Sequence, residues 1–225
     1  MNKLSVPYAA LGAVYCVLLL LDTLLEVKII NLYGLELTLG TAVIALVYVC
    51  SDCLVEVYGF ARARLLMWLG FFLLGFSTLV LNVACYVPSI PGWEGNEHFN
   101  YLYSMSPRIA LACLAAYIFG SYTNNFVMSK LKVLWKGKYF KSRAMISTVA
   151  GETVDAIVGT FGIFFGILPL TQVLSITFSM ALVKCCIEAC VLPVTSRVVK
   201  VLKKEEEKFG DDSHTSYKLF SMRQE

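Results

Sequence analysis

Long apolar stretches separated by short polar segments dominate the sequence. A helix of about 20 mostly apolar residues crosses a hydrocarbon core roughly 30 Å thick. Six stretches have this length and character, and we predict a transmembrane helix in each: 6–25, 38–58, 65–87, 109–128, 144–168 and 171–199. The pattern predicts an all-α integral membrane protein with six transmembrane helices in residues 1–202, followed by a polar, flexible cytoplasmic tail at 203–225.

Composition supports this prediction. Hydrophobic residues make up 58% of the chain and charged residues 16%, whereas soluble domains have roughly 45–50% apolar and about 25% charged residues. This chain has too few polar groups to cover the surface of a soluble domain. A soluble enzyme, a disordered chain and a nucleic-acid-binding domain are therefore excluded, and a net charge of +3 is too small for an electrostatic polyanion binder.

Basic residues between the predicted helices set the orientation. Lysine and arginine concentrate in cytoplasmic segments of membrane proteins. The connection between the fourth and fifth helices is rich in them, and the 3–4 connection carries Glu94, Glu97 and His98 instead. With the basic tail, this asymmetry predicts that both termini are cytoplasmic. The basic residues of the 4–5 connection are Lys130, Lys132, Lys136, Lys138, Lys141 and Arg143.

The eight cysteines fall mostly within predicted helices. Cys50 and Cys53 form a CxxC pair, which fits a metal site or, more simply, cysteine packing as a small apolar residue. The two histidines, His98 and His214, lie outside the predicted helices. We expect no metal, no cofactor and no enzymatic activity, although an intramembrane enzyme and a simple channel are the rival classes.

A few charged residues fall where charge is costly. A charged side chain at the bilayer centre usually faces the bundle interior and has a partner or a purpose. At 1.5 Å per residue, Glu152, Asp155, Lys184 and Glu188 lie near the midplane, and Asp52 lies in the cytoplasmic half. These residues supply three carboxylates and one ammonium, so at least one carboxylate has no cation from this group. The excess favours a site for a substrate or a proton over a closed network that binds nothing.

Helical spacing assigns other polar residues to faces. Tyr48, Asp52 and Glu56 share one face of the second helix, while Glu56, Arg62 and Arg64 are expected to anchor the membrane interface. Tyr117 and Asn125 belong to an uncharged polar stripe on the fourth helix. Small residues allow close helix approach, so the fifth helix has a face suited to a homodimer or to internal packing: Gly151, Asp155, Gly159, Gly162 and Gly166.

Specific strings carry a family resemblance. The second helix reads YVCSDCLVEVYGFARAR, the fourth SPRIALACLAAYIFGSYTNN and the fifth RAMISTVAGETVDAIVGTFGIFFG, and the sixth holds Lys184 before Pro193. From about residue 40 to 200 the chain resembles the queuosine precursor transporter family, also described as a vitamin uptake family. The resemblance implies a bacterial inner-membrane importer of preQ0, preQ1 or queuine for tRNA modification. The matching positions are Asp52, Arg108, Arg143, Glu152, Asp155 and Lys184.

The chemistry of a 7-deazaguanine suits these residues. Its N1–H and 2-amino edge can donate two hydrogen bonds to the carboxylate of Glu152 or Asp155, although some family members have asparagine in place of Glu152. Lys184 can hold the second carboxylate or the carbonyl oxygen of the base, and Tyr48 or Tyr117 offers a stacking face. The full predicted set is Tyr48, Asp52, Arg108, Tyr117, Asn125, Arg143, Glu152, Asp155, Lys184 and Glu188.

The expected partners are the small-molecule substrate and the lipid bilayer, without nucleic acid. The chain has no G-x4-G-K-[ST] nucleotide-binding motif, so energy must come from an ion gradient, the membrane potential, trapping of the base or a separate subunit. The alternative function is therefore the substrate-binding subunit of a vitamin importer that needs a separate ATPase module.

Overall fold

A computed structural model describes residues 5–25, 28–32, 35–104, 107–205 and 216–220. The fold is a bundle of long helices with one short hairpin and one short helix. In chain order the elements are α1 (Val6–Leu25), β1 (Ile29–Leu32), β2 (Leu35–Thr38), α2 (Gly40–Tyr58), α3 (Phe60–Tyr86), α4 (Gly95–Tyr103), α5 (Pro107–Leu134), α6 (Phe140–Phe164) and α7 (Leu170–Glu205).

Each of the six predicted apolar stretches coincides with one long helix, within a few residues at its ends. Four helices, α1, α2, α3 and α7, are long and apolar enough to cross a membrane. The short α4 and α5, from Arg108 to Leu134, form a pair bent by 47°, which makes a fifth candidate if the pair is counted as one span. The protein is therefore a largely helical, multi-pass membrane protein.

The hairpin and α4 were not predicted. Strands β1 and β2 pair antiparallel, with Ile29 opposite Thr38 and Leu32 opposite Leu35. The hairpin joins α1 to α2, and Thr38 is the last residue of β2 rather than the first residue of a helix. The short apolar runs on either side of Gly34 are compatible with a strand or with the end of a membrane helix, and hydropathy alone does not separate these structures.

A single residue, Gly59, separates α2 from α3. Its backbone has φ 85° and ψ 165°, a conformation that residues with a Cβ rarely adopt. Arg62 and Arg64 consequently lie in the first two turns of α3 and not in a loop. A larger residue at Gly59 would strain the connection that sets the position of α3.

The small-residue face of α6 packs against α5. A Cβ added at Gly151 would lie 2.8 Å from Asn124 Cβ and 3.0 Å from the carbonyl oxygen of Gly120, and one added at Gly162 would lie 2.6 Å from Ala112 Cβ. Distances this short leave no room for a side chain. The face therefore serves packing within the chain, and no homodimer is inferred from it.

Apolar side chains face outward and charged side chains are buried, the reverse of the arrangement in a soluble protein. Large apolar side chains such as Phe76 (65% exposed) and Phe178 (69%) face outward, whereas Glu56 and Arg143 are fully buried. Lipid accepts the apolar exterior, and charged residues in a membrane protein face the bundle interior. The polar chemistry of this chain is consequently concentrated between the helices.

Part of the carboxyl-terminal segment contacts the bundle. Helix α7 continues to Glu205, and residues 216–220 lie against α3 and α5. Arg64 Nη1 donates to the carbonyl oxygens of Ser216 (2.5 Å) and Lys218 (2.9 Å), and Trp68 Nε1 donates to that of Leu219 (2.9 Å). These five residues of the predicted tail are held by contacts, and Arg64 is 2% exposed rather than an interface anchor.

Candidate functional site

A cavity of about 350 Å³ occupies one half of the bundle. Its lining comes from the carboxyl-terminal halves of α1, α3 and α6 and from the amino-terminal halves of α2, α5 and α7, so these helices alternate in direction. Most of the lining is apolar or aromatic. The exceptions are threonines and three charged residues, Asp22, Asp155 and Lys184.

Lys184 joins two carboxylates at the middle of the bundle. Its Nζ donates to Asp155 Oδ2 at 2.7 Å and lies 3.2 Å from Glu152 Oε2. The side chain of Lys184 is 7% exposed and that of Glu152 1%, whereas Asp155 keeps 17% because it faces the cavity. We call Glu152, Asp155 and Lys184 the central triad; its two carboxylates exceed its one cation.

Tyrosines surround the central triad. Tyr117 Oη donates to the carbonyl oxygen of Met67 (2.9 Å) and shares a hydrogen bond with Tyr15 Oη (2.8 Å). Tyr48 also lines the cavity and lies next to the close contact between α5 and α6, where its Oη would be 2.9 Å from a Cβ at Gly120. The side chains of Tyr48 and Tyr117 are both buried in the bundle and border the space where a flat ligand would lie.

A buried polar layer lies beyond the cavity. Asn124 Nδ2 donates to Asp52 Oδ1 (3.0 Å), and Ser51 Oγ donates to Asn125 Oδ1 (2.7 Å). Thr148 Oγ1 donates to Glu188 Oε1 (2.5 Å). None of these side chains lines the cavity, so the structure separates Asp52, Asn125 and Glu188 from the residues that do.

A buried ionic cluster lies at the end of the bundle opposite the cavity. Arg143 Nη1 and Nη2 donate to the two oxygens of Glu56 at 2.6 and 3.0 Å, and Lys203 Nζ also pairs with Glu56. Arg143 Nε donates to the carbonyl oxygen of Lys138 (2.8 Å). We call Glu56, Arg143 and Lys203 the Arg143 cluster; it joins α2, α6 and α7, and Glu56 is not the interface anchor that its sequence position suggested.

Arg108 lies far from both groups, near the amino-terminal end of α5. Its Nε and Nη2 donate to the carbonyl oxygens of Gly162 (2.8 Å) and Phe165 (2.6 Å) at the carboxyl-terminal end of α6. A cation satisfies helix carbonyls that have no intrahelical partner. Arg108 thus links the start of α5 to the end of α6 at the cavity end of the bundle. It does not line the cavity.

The structure therefore divides the predicted site residues into two groups. Tyr48, Tyr117, Asp155 and Lys184 line the cavity, with Glu152 beside them. The remaining five lie in the polar layer, the Arg143 cluster or the helix-end contact: Asp52, Arg108, Asn125, Arg143 and Glu188.

Sequence reasoning missed two contributors. Asp22, the one charge in its apolar stretch, lines the cavity, as does Thr160 one turn beyond Asp155. The isolated charge of Asp22 was the available signal, since a carboxylate in an apolar helix needs a partner or a function. In the part of the chain that the structure describes, no group of three His, Cys, Asp or Glu side chains is arranged to hold a metal ion.

Comparison with known proteins adds two matches. The family described as "Putative vitamin uptake transporter" matches residues 38–198. A protein of Bacillus subtilis (strain 168) named "Probable queuosine precursor transporter" is 28% identical over 181 residues, which cover 80% of this chain and 79% of that protein. No solved structure matches the chain.

Proposed function

Because the chain belongs to the family described as "Putative vitamin uptake transporter", we propose that it imports a queuosine precursor, a 7-deazaguanine base, across the bacterial inner membrane. The name of the Bacillus subtilis relative supports a queuosine precursor as the cargo. The relative matches along most of both chains, so the likeness is not confined to one segment.

We propose six membrane spans with both termini cytoplasmic. The described residues form six long helices, and long helices that are neighbours in sequence alternate in direction. The basic residues between α5 and α6 lie at the end of the bundle opposite the cavity. If that end is cytoplasmic, the cavity faces the outside and the Arg143 cluster closes the cytoplasmic half. This arrangement is an outward-facing state that is ready to receive a base.

The single observation that carries the proposed site is the central triad at the cavity. Small-molecule sites of about 300–1,000 Å³ are mostly apolar, with a few placed polar groups, and this cavity has that size and character. Asp155 presents a carboxylate to the N1–H and 2-amino edge of the base. Lys184 holds Asp155 and Glu152 in place and can donate to the carbonyl oxygen of the base.

The aromatic residues complete the proposed contacts. Tyr48 and Tyr117 border the cavity on α2 and α5 and offer faces to the flat heterocycle. Asp22 adds a second carboxylate, which suits the aminomethyl cation of preQ1 better than the neutral nitrile of preQ0. We propose that Tyr48, Tyr117, Glu152, Asp155 and Lys184 form the binding site, with Asp22 influencing the choice of base.

Complementation tests the proposal. The chain is expressed in a bacterial strain that cannot make queuosine precursors and lacks its own importer. PreQ0, preQ1 and queuine are supplied separately, and queuosine in tRNA is measured. We expect queuosine with at least one base, and its loss in Asp155→Asn. Lys141→Met, which removes an exposed cation outside the cavity, is the control. No queuosine with any base, despite membrane expression, would refute the proposal.

Reconstitution separates a self-sufficient carrier from a subunit of a larger importer. Purified chain in liposomes should exchange external labelled base for internal unlabelled base without ATP or another protein. Exchange that requires an added ATPase module would instead support the substrate-binding-subunit alternative.

A further inference from the structure

Besides Glu56, which pairs with Arg143 and Lys203, the described interior contains two carboxyl groups that the proposed substrate site does not use. Asp52 is 0% exposed and its Oδ2 has no hydrogen-bond partner in the described part of the chain; Glu188 is 1% exposed and the same holds for its Oε2. We call Asp52 and Glu188 the buried carboxyl pair. An unsatisfied buried carboxyl oxygen destabilises the fold, and more so if it is charged, so these side chains need an explanation.

Within the described ranges, no cation neutralises the buried carboxyl pair. Among the described residues, neither Asp52 nor Glu188 forms an ion pair. Lys184 is occupied by Asp155 and Glu152, and Arg143 is bound to Glu56 at both of its terminal nitrogens. A carboxylate without a cation is strongly disfavoured in a dry interior. A bound proton removes the charge without a partner.

The titratable groups that face the pair, among the described residues, include no cation free of another carboxylate. Towards Glu188 they are Asp52 and Cys53 from α2, Glu152 from α6, Tyr48 from α2 and Cys185 from its own helix. Towards Asp52 they are Asn124 from α5, Glu56 and Cys53 from its own helix, Glu188 from α7 and Arg143 from α6. Arg143 is the one cation in this set, and Glu56 holds it.

The order of residues along two helices puts the pair between the cavity and the Arg143 cluster. On α2, Tyr48 lines the cavity, Asp52 follows one turn later and Glu56 one turn after that. On α7, Lys184 lines the cavity and Glu188 lies one turn beyond it, before Lys203. One turn is about 5.4 Å.

Helix α6 repeats the order in reverse. Arg143 is followed by Thr148, which binds Glu188, and then by Glu152 of the central triad. Glu152 is therefore level with the cavity-lining Lys184, and Glu188 is level with Thr148, one turn further from the cavity.

We propose that the buried carboxyl pair is the binding site for a coupling proton, distinct from the base site and dependent on the proposed function. A proton enters from the cavity past Glu152 and binds a carboxylate oxygen of Glu188 or Asp52, which becomes a neutral carboxylic acid. Opening of the Arg143 cluster exposes the pair to cytoplasmic water, and the same O–H bond breaks to release the proton. No bond of the base changes, and base and proton move in the same direction.

Proteoliposomes containing the full chain test this mechanism, with labelled preQ0 as the first probe and preQ1 and queuine as the next two. The membrane potential is clamped at zero with potassium and valinomycin. With a lumen one pH unit more alkaline than the outside, one proton per neutral base gives about tenfold accumulation, since each 1.4 kcal/mol is a factor of ten. A lumenal pH dye should report acidification that depends on the base.

The variants separate coupling from transport. Asp52→Asn and Glu188→Gln should each lose the tenfold accumulation while retaining base-for-base exchange in the absence of a gradient. Retained exchange also shows that the variant is folded. Glu97→Gln, an exposed carboxyl outside the cavity and the Arg143 cluster, should behave like the wild type.

Three results would overturn the proposal: accumulation in the wild type that ignores the pH gradient, accumulation that follows a sodium gradient, or unchanged accumulation in both variants. Failure of the proposed function looks different, because the wild type would then exchange none of the three bases.

Discussion

Replacing Arg143 by methionine should destabilise the protein strongly. Methionine keeps an unbranched, apolar stem but is shorter and removes both hydrogen bonds to Glu56, whose carboxylate is 0% exposed in the wild type. Breaking a buried ion pair costs about 3–5 kcal/mol. Lys203 still reaches Glu56, so we expect the lower end of this range, about 3 kcal/mol.

Thermal unfolding of detergent-purified protein measures the effect. For a chain of this size, about 1 kcal/mol shifts the melting temperature by roughly 2–4 °C. We therefore expect Arg143→Met to melt about 6–12 °C below the wild type. Lys141→Met, two residues earlier and exposed, should melt like the wild type.

Two further variants identify the cause of the loss. Glu56→Gln combined with Arg143→Met should recover part of the stability, because no buried carboxylate is then left with Lys203 as its one remaining cation. The melting temperature of Arg143→Lys should lie between those of the wild type and Arg143→Met. Lysine keeps the positive charge but cannot donate two parallel hydrogen bonds to one carboxylate. If Arg143→Met has the same melting temperature as the wild type, the Arg143 cluster does not stabilise the packing of α2, α6 and α7, and the reasoning is wrong.

Three other changes test separate parts of the structure. Lys184→Met leaves two carboxylates of the central triad without their cation, so uptake of base should fall at least tenfold in the complementation assay. Uptake by this variant at the wild-type level would show that Lys184 is not part of the site. Gly151→Val places a side chain 2.8 Å from Asn124 Cβ and should prevent the α5–α6 contact, seen as loss of folded protein in size-exclusion chromatography. The control is Gly75→Val, because an added Cβ at Gly75 meets only Leu114 side-chain atoms at 3.8 Å. Deleting residues 216–225 removes the acceptors of Arg64 and Trp68 and should lower the melting temperature by several degrees, whereas Lys200→Ala on the exposed face of α7 should not.

Hydropathy located the helices because a membrane requires long apolar runs, and this requirement is visible in sequence. Hydropathy did not reveal the strands. Each strand has four residues, too few for the spacing of apolar residues to distinguish a strand from a helix. Hydropathy also missed the single-residue connection at Gly59, since the sequence shows a glycine but not its positive φ.

The contact among the charged residues near the midplane could be predicted from the sequence for a similar reason. Depth along two helices brought Glu152, Asp155 and Lys184 to one level, and the structure shows them in contact. Spacing along one helix gives a residue's face but not its neighbour on another helix. For that reason the bond between Glu56 and Arg143, 87 residues apart, was not foreseen.

The contacts of residues 216–220 fix an order of assembly. Arg64 lies near the start of α3, but its carbonyl acceptors are 152 and 154 residues later in the sequence. The ribosome makes every long helix of the described residues before it makes these acceptors. Until then a guanidinium that will be 2% exposed in the finished protein remains hydrated. The side of the bundle formed by α3 and α5 is therefore completed last, after synthesis has passed residue 218.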